Sequence, residues 1–156
     1  MEKGAMNIKI IVTNRKAHFE YEIVQTFETG IELRGTEVKS LRLGKANISE
    51  SYCAVSPAME VFLINAHINH YDFGNRNNHD PLQARKLLLR KQEIRKLYGQ
   101  SREKGLTLIP LKMYFKHGLV KVEIALVKGK KLHDKRESLK KDEAKIEIAR
   151  NMKNGF

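Results

Sequence analysis

Apolar residues recur along this chain with two periods. Ile23, Phe27, Ile31 and Leu33 occupy odd positions and share one face of an extended chain, so 23–33 is predicted to be a strand. Gly30 interrupts it and is read as a bulge or tight bend. Asn7 to Val12 alternates loosely and predicts an earlier strand. Between them, Ala17, Tyr21 and Val24 stand at helical spacing, which predicts a short helix capped by Asn14. "GTEVKSLRLG" is a compact helix signal: Thr36 caps it, Glu37 favours its positive end, and Gly44 ends it in a left-handed conformation. Ser51–Val55 and Met59–Asn65 read as two strands joined by "SPAM". "HYDFGNRNNHDP" is a polar loop, and Asp80-Pro81 is a helix entry. The stretch from Leu82 to Gly105 is helical by propensity.

The clearest unit is a hairpin. Leu111, Met113 and Phe115 alternate with Lys112, Tyr114 and Lys116; Val120, Val122, Ile124 and Leu126 alternate with Lys121, Glu123 and Ala125. His117-Gly118 makes the turn, and Pro110 is expected at a strand start or edge. The strands come in adjacent pairs and few crossovers resemble βαβ units. The expected fold is therefore mainly β, a small antiparallel barrel of about six strands with two or three embedded helices. It is expected to fill residues 1–128, with a basic C-terminal tail over 129–156. In that tail Leu139, Ile146, Ala149, Met152 and Phe156 mark one side of a helix, narrow enough that order is expected only on a polyanionic partner.

Charge changes this picture. Of 156 residues, 30 are Lys or Arg against 18 Asp or Glu, a net +12 that attracts polyanions. Cys53 is the only cysteine and lies in an apolar strand, so it reads as a buried inert thiol and no internal disulfide is possible. No segment resembles a signal peptide or a bilayer span, and the expected location is the cytoplasm. There is no phosphate-cradling glycine loop, and no nucleophile or paired-carboxylate constellation that would argue for an enzyme. His67, His70 and His79 match no common zinc spacing, and no metal or cofactor is expected.

RNA is held by cations for phosphates and planar groups for exposed bases. Arg15 and Lys16 beside His18, Phe19 and Tyr21 form one such set. Tyr71, Phe73 and Arg76 form another, where Asn75, Asn77 and Asn78 could bond base edges. Arg85, Lys86, Arg90, Lys91, Arg95 and Lys96 form a dense basic set on the expected second helix, open to a solvated reading as well as a phosphate-binding one.

The blocks "NRKAHFEYEI", "FETGIELRGTEVKSLRLGKANI", "GNRNNHDP", "RKLLLRK", "IPLKMYFKHGLVKVEIALVKGKKLHDKR" and "ARNMKN" follow one another in an order that resembles the small protein B family, the SsrA-binding proteins of bacterial trans-translation. The likeness runs from about Asn14 to Asn154. It implies an oligonucleotide-binding-like barrel and no enzymatic activity. It implies binding to the tRNA-like domain of transfer-messenger RNA. Delivery of the alanyl form, with elongation factor Tu and GTP, to stalled ribosomes is also implied. Glu28 and Leu88 match the family's RNA-binding positions, and Arg90, at a variable one, is compatible with a phosphate contact. Arg15, Lys16, Lys39, Arg76, Asn78, Arg85 and Lys86 complete the expected RNA set. Gln83 stands where the family often has Arg. In the tail, Lys130, Lys131, His133, Asp134, Lys135, Arg136 and Met152 are the residues implied for the decoding centre and message channel, with His133 as the stacking group. The rival reading is a ribosomal or generic single-strand RNA-binding protein on a similar barrel.

Overall fold

A computed structural model of the chain describes residues 8–73, 78–103 and 105–129. Its organising unit is the hairpin of β8 (Leu106–Lys116) and β9 (Leu119–Gly129). His117 and Gly118 both take positive φ, 52° and 78°, the turn geometry whose twist matches that of the flanking strands. From β9 the pairing passes to β2 (Tyr21–Ile31), β7 (Arg85–Leu88), β5 (Val61–Ile64) and β4 (Tyr52–Val55), then back to β8. The result is a closed ring of six antiparallel strands. β1 (Ile8–Thr13) adds to the outer half of β8. β3 (Ala46–Asn47) and β6 (His67–Ile68) make a separate small pair. Among the described residues there are three helices: α1 (Lys16–Glu20), α2 (Gly35–Arg42) and α3 (Lys91–Ser101).

Two apolar clusters form. The larger draws Phe27, Cys53, Leu63, Leu87, Met113 and Ile124 from all six ring strands and receives Leu41 of α2 and Leu97 of α3. The smaller, Ala17, Ile109, Leu111, Ala125 and Val127, seats α1 on the other face of the hairpin. Strict alternation expects Leu111 beside Met113, and Ile23 beside Phe27. The structure separates both pairs. The register slips at Leu111 in β8 and at Val24 in β2, and each slip moves the residues beyond it to the opposite face. Pro110 correspondingly lies inside β8 rather than at its start, beside the bulge that tolerates it.

Other expectations change as well. The first helix covers only Lys16–Glu20, and Tyr21 and Val24 belong to β2. Asn14 is not its cap: it is buried and donates through Nδ2 to the Pro110 carbonyl at 3.0 Å. Residues 82–105 are not one helix. Asp80-Pro81 opens a turn in which Asp80 Oδ1 accepts from the Leu82 N–H at 2.9 Å. Residues 85–88 then fill the gap in the ring between β5 and β2, where backbone pairing outweighs helix propensity. α3 begins only at Lys91, where Glu93 reaches back to the Arg90 N–H at 3.1 Å. Gly30 is in register on both sides, with no bulge; a Cβ there would meet Leu88 Cβ at 3.3 Å, a tight contact that Leu88 would have to yield to.

Candidate nucleic-acid interface

Because Phe27 and Thr29 face inward, Glu28 faces out. Its carboxylate accepts hydrogen bonds from the Tyr114 hydroxyl and from Lys116 Nζ, the latter at 3.2 Å. The register lays Glu28 beside Glu123, and Gly30 beside Lys121, which in turn pairs with Tyr114. Lys112 lies 4.0 Å from Glu123 and holds its ammonium 5.5 Å from the Tyr114 ring centre. Leu88, 46% exposed, is directly opposite Gly30. The fold thus gathers Glu28 and Leu88, sixty residues apart in sequence, on one outer face with Lys112, Tyr114, Lys116 and Lys121.

The electrostatics of this face follow from its contacts. The Tyr114 hydrogen bond, the largest influence, holds the Glu28 carboxyl below its usual range against the opposing effect of burial, with Lys116 and Lys121 helping. Burial, then the hydrogen bond and charge of Glu28, push the Tyr114 phenol up. At neutral pH the cluster is therefore carboxylate, phenol and ammonium. A carboxylate repels phosphate; this one fixes the directions of the Tyr114 hydroxyl and the Lys116 ammonium. Tyr114 and the lysines were legible only as the outward half of the hairpin's alternation. Their convergence on Glu28 required the ring.

The remaining predicted residues are scattered. Lys39 is exposed on α2, its Nζ 5.4 Å from the Tyr71 ring centre. Asn78 is no free reader of bases: Oδ1 accepts from the Tyr71 N–H at 3.0 Å and Nδ2 donates to the Tyr71 carbonyl at 2.6 Å. Arg85 is not on a solvated basic face. It is buried, paired with buried Glu37, and donates to the carbonyls of Ala66 at 2.8 Å, Pro81 at 3.1 Å and Asp80 at 3.3 Å. Lys86 pairs with Glu60 at 2.9 Å, which raises its pKa, and Lys16 pairs with Glu50 at 2.8 Å. Arg15 and Arg90 are exposed, as are Lys91, Arg95 and Lys96 of α3. His79 is a buried strut between Thr36 Oγ1 at 2.8 Å and the Ile68 carbonyl at 2.9 Å. Arg76 and the tail residues Lys130, Lys131, His133, Asp134, Lys135, Arg136 and Met152 lie outside the described residues. Among those described, no cluster of His, Cys, Asp or Glu is placed to hold a metal, and no helix is long and apolar enough to cross a membrane.

Comparison with known proteins gives this surface its context. The family model described as SmpB protein matches residues 11–154. The SsrA-binding protein of Geobacter metallireducens is 55% identical over 148 residues, covering 95% of this chain and 96% of that protein. The SsrA-binding protein of Trichormus variabilis is 55% identical over 155 residues, 99% of each. A solved structure described as "tmRNA-SmpB: a journey to the center of the bacterial ribosome" aligns with a TM-score of 0.66 at 48% identity, over 78% of this chain and 85% of that one. By the extent of the family match and by identity over nearly its whole length, this chain belongs to the SmpB protein family.

Proposed function

We propose that this chain binds the tRNA-like domain of transfer-messenger RNA through the Glu28–Leu88 face and brings it to stalled ribosomes for trans-translation, as a binding factor and not an enzyme. The observation that carries this reading is the family match across 11–154, which includes every residue of that face. Relatives named for SsrA binding, and a similar structure named for transfer-messenger RNA on the bacterial ribosome, support it. The chemistry agrees: cations at Lys112, Lys116 and Lys121 suit phosphate, while exposed Leu88 offers apolar contact to sugar or base.

The finer steps belong to the same proposal. Arg15, Arg76 and Arg90 add phosphate contacts and Lys39 supplies a cation apart from that face, whereas Arg85, Lys16 and Lys86 act through the ion pairs that hold their elements. Delivery of the alanyl form proceeds with elongation factor Tu and GTP in the cytoplasm. Residues 130–156 enter the empty message channel, with Lys130 and Lys131 on ribosomal RNA, His133 stacking at the decoding centre, Asp134 to Arg136 at the join, and Met152 on the apolar stripe.

Two measurements test it. Titration with a tRNA-like fragment and with an unrelated hairpin, at several salt concentrations, should give tighter binding to the fragment; equal affinities and salt slopes would favour a generic RNA binder. Removal of residues 130–156 should leave fragment binding nearly intact and abolish tagging on stalled ribosomes. A loss of fragment affinity beyond about tenfold, or about 1.4 kcal/mol, would refute that division of labour.

A further inference from the structure

The segment after β6 carries an aromatic pair, Tyr71 and Phe73. Phe73 is 79% exposed, and its ring packs edge-on against Tyr71 with centroids 5.5 Å apart. An apolar ring that open is unusual unless something covers it. The backbone beneath it is fixed. Asn78 grips both the N–H and the carbonyl of Tyr71. Ser40 donates to the Asn69 carbonyl at 2.7 Å, and the Asn69 N–H donates to the Lys45 carbonyl at 3.0 Å. His79, braced between Thr36 and Ile68, packs its ring edge-on to His70. The segment is therefore tied to α2 and its C-terminal turn.

Charge accompanies the rings. Lys39 holds its ammonium over Tyr71, and Lys45 stands 3.7 Å from the Asp72 carboxylate, which offsets its repulsion of an anion. A fixed, exposed ring beside a cation is the arrangement that takes an unpaired base on the ring and its phosphate on the ammonium. A protein partner would also cover Phe73, but the chain's net charge of +12 and the adjacent lysines favour an anionic one.

We propose that Phe73, backed by Tyr71 and flanked by Lys39, is a stacking platform for one unpaired base of single-stranded RNA, separate from the Glu28–Leu88 face. It extends the RNA-binding reading above, yet its test does not depend on transfer-messenger RNA. The chain contains no Trp, so Phe73→Trp places a single reporter on the platform. In the full chain, oligouridylate and oligoadenylate should quench that fluorescence, and saturation with the tRNA-like fragment should leave the quenching in place. Phe73→Ala should weaken oligonucleotide binding about tenfold. Lys39→Ala should lower the magnitude of the salt slope by about 0.7. Three results would overturn the proposal: no quenching, unchanged affinity in Phe73→Ala, or quenching competed away by the fragment. Phe73-dependent self-association seen by sedimentation, without quenching, would assign the ring to a protein contact instead. A chain that fails to bind the fragment but is still quenched by the oligonucleotides would refute the transfer-messenger RNA reading and leave the platform standing.

Discussion

Glu37 and Arg85 are both buried, and each depends on the other for charge. Arg85→Ala strands a carboxylate in the interior and frees three backbone carbonyls, so it should cost about 3–5 kcal/mol, read as a lower urea midpoint. Arg85→Lys should not restore it, because an ammonium lacks the fork that spans Glu37 and the carbonyls. Nothing in the sequence names this partnership. Arg85 sits among basic neighbours, and its carboxylate comes from a different element, 48 residues earlier. Glu28 behaves differently, since its carboxylate lies at the surface. Its folded pKa is lowered from the ordinary 4.5, so its contribution is present above that value and lost as pH falls through the lowered one. Glu28→Gln should therefore flatten the acid limb of stability against pH. Tyr114, pushed up, contributes below its ordinary 10.0 and is lost as pH rises through the raised value. Cys53 is buried and its thiol is pushed up by that burial, so a thiol reagent at mild alkaline pH should label it only as fast as the chain unfolds.

The strands of the hairpin and the turn between them were legible because alternation and His117-Gly118 are local signals. The bulges were not. An extra residue leaves no mark in composition, yet it decides which cluster Leu111 and Ile23 join. β7 was missed for a related reason: "RKLLL" suits a helix by propensity, and only the open place between β5 and β2 makes it a strand. These placements carry consequences. α1 has five residues, too few to persist alone, and rests on the smaller cluster. Leu111→Ala should cost about 2–3 kcal/mol and raise amide exchange at Ala17–Glu20 first. Gly118→Ala, forced to keep a φ of 78°, should cost about 1–2 kcal/mol in thermal or urea unfolding.

Across the described residues as a whole, Glu37 is buried against Arg85, Lys16, Lys86 and Lys116 each pair with one carboxylate, and Arg15, Lys39, Arg90, Lys91, Arg95 and Lys96 stand exposed, in keeping with the net positive charge. The antiparallel architecture was legible as well, since paired strands with short connections leave few alternatives. The proposed RNA face was legible only through the family resemblance, which marked Glu28 and Leu88 without saying that Leu88 packs against Gly30 on the neighbouring strand. Lys121→Ala, which removes one cation from that face, should reduce the magnitude of the salt slope for the tRNA-like fragment by about 1.

The ring also fixes where the rest of the chain departs. β9 ends at Gly129 in register with Tyr21, six positions beyond Glu123, which lies beside Glu28. At strand rise that is about 20 Å. The exit of residues 130–156 is thus held at a set distance from the Glu28 face by backbone hydrogen bonds, as the graduations of a ruler are held by its edge. Lengthening β2 and β9 together by two residues would keep every side chain on its face and move that exit by about 7 Å. Anything that must grip RNA at one mark while threading a tail from another would then be out of measure, although each part alone still worked.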